Sequence, residues 1–317
     1  MTNVSGDEKS NNEYAASVDV AGVNAAMAVN AGATNATSQR EDLLAFLEAA
    51  EDKNFVFFFG TPAAGKSAVL GSMIQAMNHP DSFGTLSVHG VGNGYFSEGQ
   101  QLWDRLQAAF ANRRFPPRTA AGKTIQLHAT FKPHFRDSQS PLEIVFLEMG
   151  GEDLRQVSIG NHVLPAHINQ FLRIKKLKLM FIMTAAWSDA RKDDKKIGSF
   201  LDYLNERSPH LVESRVILLL TKWDTRPPSA KENVHDFVKK SMPETYSKLS
   251  SSRNVISDFS IGDILPERDD GIEDPNDIIQ EFNFPVARSL FNRIQETFSG
   301  INYEALPKKT LFGRLFG

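Results

Sequence analysis

Residues 60–67 read Gly-Thr-Pro-Ala-Ala-Gly-Lys-Ser, a spacing that lets a backbone wrap a chain of phosphates. Gly60 and Gly65 permit angles that aim successive N–H groups inward, Lys66 supplies a cation that reaches the outer phosphates, and Ser67 offers a hydroxyl oxygen to Mg2+. Thr61, Pro62, Ala63, Ala64 and Ala68 complete the phosphate-binding set, with the following helix directing its N-terminus at the anion. A second Gly-Lys-Thr at Gly122–Thr124 lacks this chemistry, because Pro117 stands where its first glycine belongs.

A second chemical group is Thr221-Lys222-Trp223-Asp224, directly after the apolar run 216–220. The Asp224 carboxylate can accept from both the ring N–H and the exocyclic amine of guanine, whereas adenine presents an acceptor there. Lys222 can lay its aliphatic stem along a base. A solvated charge pair at a strand end is the plainer alternative, and the phosphate loop upstream tips the reading toward a base contact.

These groups need a scaffold. Residues 55–59 are continuously apolar, as in a strand buried on both faces, and 67–77 carry apolar residues at helical spacing. Periodicity then predicts a helix over 98–113 ended by Phe115-Pro116-Pro117, and strands over 124–132 and 142–148. Further on it predicts helices over 161–173, 195–207, 230–242 and 276–298, alternating with strands over 177–184, 215–220 and 255–259. This alternation specifies a three-layer, doubly wound, mostly parallel α/β sheet, which binds ligands at the carboxyl ends of its strands.

Composition narrows the classes. The 317 residues are 41% hydrophobic with a net charge of −3, enough apolar content for a sizeable core and no general pull toward nucleic acid or anionic lipid. Cysteine is absent, which excludes disulfides, thiolate metal sites and a cysteine nucleophile and suits a cytoplasmic setting. Neither a signal peptide nor a membrane span is expected. Residues 1–38, rich in Ala, Asn and Ser, read as a disordered leader, and folded sequence is expected from Gln39, where Leu43, Leu44, Phe46 and Leu47 form a short helical face. The domain spans 39–298, followed by a tail over 299–317. In that tail Leu311, Phe312, Leu315 and Phe316 beside Lys308, Lys309 and Arg314 suit self-docking, a partner groove or peripheral membrane contact.

The scattered histidines 128, 134, 162 and 167 show no metal-ligand pattern, and the basic runs 175–178 and 191–196 read as solvated helix ends. Trp103, Trp187 and Trp223 read as core or interface anchors.

With its phosphate loop and TKWD box, the chain resembles the Ras-like P-loop GTPases, and among them the larger bacterial branches. The resemblance covers residues 54–298 and implies several further roles. Glu148-Met149-Gly150-Gly151, following the strand over 142–148, resembles the family's Asp-x-x-Gly box. Glu148 replaces the usual aspartate, would hold Mg2+ through a water, and leaves Gly151 to meet the γ-phosphate with its N–H. The switch threonine that ligates Mg2+ is Thr119, with Thr124 and Thr130 as rivals. Ser260-Ile261-Gly262 occupies the place of the last base-binding turn. The residues between Asn78 and Pro116 imply an inserted strand and helix before the first switch. Hydrolysis would rest on Lys66 and on Glu152 or Gln156 to position water, with Arg155 as a charge partner or arginine finger.

The resulting expectation is a Mg2+-dependent protein that binds GTP and GDP, hydrolyses GTP slowly and switches a protein effector or regulator, with no nucleic acid partner. A P-loop ATPase or kinase with an accidental TKWD, and a scaffold that holds nucleotide without turnover, are the alternatives.

Overall fold

The computed structural model describes residues 53–88, 95–117, 119, 124–134, 140–152, 172, 178–207, 215–227, 229–230, 232–250, 254–265 and 278–305. The leader, the helical face near Leu43, Arg155, Gln156, residues 306–317 of the tail, and all but Leu172 of the helix expected over 161–173 lie outside them.

Seven strands form the main sheet: β1 (Asn54–Gly60), β2 (Gly84–Val88), β3 (Thr124–Pro133), β4 (Leu142–Met149), β5 (Lys178–Ala186), β6 (Val216–Thr221) and β7 (Val255–Phe259). Their spatial order is β2-β3-β4-β1-β5-β6-β7. The run β4-β1-β5-β6-β7 is parallel throughout, while β2-β3 and β3-β4 are antiparallel. The fold is therefore an α/β sheet, mostly parallel, with an antiparallel edge.

Strand β1 is buried along its whole length, and its side chains divide between the two faces with period two. Val56 and Phe58 join a core built with α1 (Lys66–Asn78), α2 (Tyr95–Ala111) and α6 (Phe284–Ser299). Phe57 and Phe59 point the other way: Phe57 meets Phe181 edge-on at 5.9 Å, and Phe59 stacks on Phe200 of α3 (Ala190–Arg207) at 3.6 Å. Helices thus cover both faces, which is why β1 reads as an unbroken apolar run. No described helix is long and apolar enough to cross a membrane.

Three expectations need correction. The stretch 276–298 is not one helix: Ile278–Phe282 is β9, which pairs antiparallel with β8 (Gly262–Leu265), and α6 starts only at Phe284. Ile278 and Ile279 favour a strand, and Pro285 fits only the first helical turn. The helix expected over 230–242 is α4 (Val234–Ser241), begun by Asn233, whose side chain accepts from the Asp236 N–H at 2.9 Å. A separate α5 (Pro243–Leu249) follows, again with proline in its first turn. The third correction concerns the run 191–196, where Asp193 and Asp194 are buried inside α3's packing surface rather than solvated.

Candidate functional site

Strand register brings the expected chemical groups to one edge. Phe58 lies beside Glu148, Gly60 beside Thr184, Ala186 beside Thr221, and Thr221 beside Phe259. The carboxyl ends of five parallel strands therefore align, and the loops carrying Thr61–Gly65, Gly150–Glu152, Lys222–Asp224 and Ser260–Ile261 leave from that edge.

The phosphate loop is tight. Ala64 N–H donates to Thr61 O at 3.2 Å, Ala63 and Gly65 take left-handed angles (φ 61° and 80°), and α1 begins at Lys66. Only glycine adopts that conformation without cost, so a left-handed Ala63 carries strain held by the surrounding loop. Lys66 is buried, and its ammonium donates to Gly60 O at 2.8 Å and Thr61 O at 3.0 Å. Gly151 packs over the same loop; a Cβ there would lie 2.5 Å from Pro62 N, so the end of β4 and the phosphate loop touch through backbone.

Three oxygens from three segments converge beside this loop. Ser67 at the start of α1 and Thr119 in the segment before β3 both donate a hydroxyl to Glu148 Oε1, the latter at 2.7 Å. The two hydroxyl oxygens are 3.3 Å apart. Glu148 is fully buried, and its second oxygen, Oε2, has no hydrogen-bond partner among the described residues. Burial pushes its carboxyl above the ordinary range, opposed by the hydrogen bonds from Ser67 and Thr119 and by the charges of Lys66 and Arg105. An orphaned buried carboxylate oxygen beside two hydroxyls is a hard-oxygen donor set. Such a set fits Mg2+, which takes one or two carboxylates and completes its shell with water and phosphate. No cluster of three or more His, Cys, Asp or Glu occurs among the described residues. Of the rival threonines, Thr130 donates to Glu143 at 2.6 Å and Thr124 opens β3 with a buried hydroxyl that has no partner among the described residues.

Sequence reasoning missed Asp193. Its Oδ2 accepts the Thr61 hydroxyl at 2.7 Å, and burial raises its carboxyl pKa against that bond and against the charge of Lys196. The signal was present in the spacing, since 193, 197, 200, 201 and 204 fall on one helical face whose other members are Ile197, Phe200, Leu201 and Leu204, all buried. Its neighbour Asp194 accepts from Glu244 N–H at 3.2 Å and Thr245 N–H at 2.8 Å, satisfying the first turn of α5.

The TKWD box sits directly beside the phosphate loop. Thr221 is buried with its hydroxyl 3.1 Å from Ala64 O and 3.3 Å from Ala185 O. Lys222 is left-handed (φ 57°) and leads into a short 3-10 turn, Trp223–Thr225, with Asp224 exposed. Beneath the turn the Arg226 guanidinium lies 3.9 Å from the Trp223 ring centre and 4.8 Å from that of Phe237, with Glu232 at 3.4 Å. Trp187 donates its indole N–H to Thr225 at 2.8 Å. In the neighbouring segment Ser260 is half-buried, Ile261 is buried, and Gly262 (φ 142°) already belongs to β8 rather than to an open turn. Glu152 is half-exposed at the end of the described β4 loop.

A central parallel strand, a glycine-bounded loop at its carboxyl end, and a helix beginning at the loop lysine are consistent with the fold of P-loop nucleoside triphosphatases. No protein-family model and no curated protein matches the chain. Among solved structures it is similar to the GDP-bound RocCORdC portion of Roco2 from Methanosarcina barkeri, at 16% identity and a TM-score of 0.31, over 66% of this chain and 43% of that one. This chain therefore spans less than half the length of that one. So slight a similarity assigns neither a fold nor an activity.

Proposed function

We propose that this protein is a Mg2+-dependent GTP- and GDP-binding protein of the Ras-like P-loop type, which hydrolyses GTP slowly and acts as a switch on a protein partner. One observation carries the reading: Ser67 and Thr119, from segments far apart in sequence, meet on one oxygen of buried Glu148 beside the phosphate loop, while the other oxygen of that carboxyl has no partner among the described residues. Ser67 and Thr119 would hold the ion, with Glu148 acting through a water. The ion would neutralise phosphate charge as it develops in transfer. Lys66 would exchange its two loop carbonyls for phosphate oxygens, and the backbone of residues 60–68 would cradle the rest.

The Gly151 N–H would meet the γ-phosphate, and Glu152 or Gln156 would position water. Asp224, Lys222 and the Ser260–Gly262 segment would surround guanine, and Thr221 ties that side to the loop. In this reading β2 and α2, which lie between α1 and β3, are an insertion ahead of the first switch. The γ-phosphate would order the Thr119 and Gly151 segments, and its loss would release them to a partner. Residues 1–38 and 299–317 would flank this domain as leader and tail, the tail starting with Ser299 at the end of α6 and Tyr303 packed into the core.

Thermal melts with nucleotide and Mg2+ test the reading. A ligand at a hundredfold excess over Kd that binds only the folded state stabilises it by about 2.7 kcal/mol. GTP and GDP are expected to raise Tm and ATP to do little; equal shifts from ATP and GTP would favour the ATPase or kinase alternative. Single-turnover phosphate release then separates a slow GTPase from a non-hydrolysing scaffold, and Glu152→Ala is expected to lower the rate while leaving binding intact.

A further inference from the structure

The base side and the metal side of the site are connected by a route that does not pass through the phosphate loop. Strand β8 starts at Gly262, and Asn283 N–H, just past β9, donates to Ile261 O at 2.9 Å, so the β8–β9 hairpin is closed at its root by the base-side segment. Its other strand grips the end of α2. Ile279 N–H donates to Arg113 O at 2.8 Å, the Arg113 guanidinium donates to Gln280 O at 2.8 Å, and Arg114 forms an antiparallel bridge with Ile278. Arg113 is left-handed (φ 55°), one of three non-glycine residues with positive φ among those described; the others are Ala63 and Lys222, in the phosphate and base loops.

Beneath these bonds Phe110 stacks on Phe282 at 5.3 Å. Phe110, Ile261 and Ile279 form a small apolar cluster of their own, against which Ala68 of α1 and Phe115 pack. Phe115 follows Arg114 directly, and Thr119 is four residues further on with its hydroxyl on Glu148.

We propose that the β8–β9 hairpin is a positioning element that holds the chain entering the Thr119 segment and couples it to occupancy of the base-side segment 260–262. The proposal rests on the nucleotide-binding reading above. Anchoring residues 113–115 shortens the free chain before Thr119, so less conformational entropy is lost when its hydroxyl is ordered on the metal. Because Ile261 is shared by the base-side segment and the apolar cluster, filling the base site tightens the same cluster that Phe115 packs on. The coupling runs equally in both directions.

The test uses the full chain with Arg113→Gly and Phe282→Ala, singly and combined. The first keeps the left-handed backbone and removes the guanidinium; the second removes the ring stack. Fluorescent-nucleotide titration is expected to show Mg2+-GTP affinity weakened about tenfold in the double variant, within the usual span of site-to-site couplings, with GDP affinity in EDTA unchanged. Equal loss for both ligands, or no loss, would overturn the proposal. Phe282→Tyr, which keeps the ring, is expected to restore the ratio. If Phe282→Ala does not fold, Arg113→Gly, at an exposed position, reads the same ratio alone.

Hydrogen exchange on the ligand-free protein supplies a readout independent of nucleotide. Amides in the peptide spanning Phe115 and Thr119 are expected to exchange faster in the variant, and unchanged protection there would overturn the proposal. Failure of the unmutated protein to bind GTP or GDP would instead remove the functional reading, with the exchange result still judging the hairpin.

Discussion

The two ends of the site are built on opposite principles. At the phosphate end Lys66, Glu148 and Asp193 are all buried, and each charge is held by short bonds to the loop or to hydroxyls gathered around it. At the base end Asp224 is exposed, and order comes from packing at the turn, where Trp223 meets Phe237 edge-on and the Arg226 guanidinium lies against both rings. Under the proposed function the contrast would follow from the chemistry each end handles. Phosphate and metal carry charge that offsets the desolvation of buried ionic groups, so an end that binds them would be pre-assembled at a cost and would gain most from its ligand. A neutral base compensates little charge, so a reader at that end would stay solvated until a base covered it. Thr221 joins the two, with its hydroxyl in reach of Ala64 O in the phosphate loop.

If the phosphate end is the electrostatic one, Lys66→Ala gives the largest effect. Nucleotide affinity is expected to fall roughly a hundredfold or more, from loss of charge-assisted bonds worth about 1.5–3 kcal/mol each, as read by titration calorimetry. A smaller loss would mean that the backbone cradle dominates. Next, Asp224→Asn is expected to reduce the preference for GTP over ATP by on the order of 1.5–3 kcal/mol in competition titrations, with Tm of the free protein unchanged because the side chain is exposed. A fall in Tm would place Asp224 in the scaffold instead of the reader.

Asp193→Ala leaves the buried Thr61 hydroxyl without its acceptor and is expected to cost about 1–3 kcal/mol in denaturant unfolding. Asp193→Asn keeps an acceptor and is expected to recover most of that loss. Equal destabilisation by both substitutions would show that the charge itself is needed.

The smallest expected effect is the pH response of Glu148. Its pKa is raised in the folded state by burial, so the folded protein binds this proton more tightly than the unfolded chain does. Its contribution to stability is therefore most favourable below the ordinary carboxyl range and declines as pH rises through the window between the ordinary and the raised value. Glu148→Gln is expected to flatten that decline and raise Tm of the ligand-free protein by a few degrees at neutral pH, while erasing the extra stabilisation that Mg2+ adds with GTP. Melts across about pH 4 to 8, with and without Mg2+ and GTP, check both arms. Identical pH profiles for the variant and the unmutated protein would argue against a charge cost at Glu148.

The parts of the fold legible beforehand were those with one dominant local signal. The central strands are apolar runs because both sheet faces are covered, and the loop at the end of β1 is marked by Gly65, which is left-handed, and Gly60, which packs closely against Thr184. Elements with mixed signals were misread. Residues 276–298 carry apolar residues that suit a helix as well as a strand, and only Pro285 marks where one gives way to the other. In the run 191–196 the surrounding lysines and arginine masked two buried aspartates, because local charge density outweighed the helical spacing that placed Asp193 among apolar neighbours.

By itself the sequence determined the α/β alternation and the glycine-bounded loop between β1 and α1, since each depends on residue type and spacing along a short stretch. Which oxygens gather around Glu148, that Asp193 braces Thr61, and that a hairpin from the far end of the domain grips the approach to Thr119 were decided only by tertiary structure. Those contacts join segments separated by 29 residues for Thr119 and Glu148, 132 for Thr61 and Asp193, and 167 for Arg113 and Gln280. Over such separations, partners are chosen by sheet order and helix packing, which no local pattern encodes.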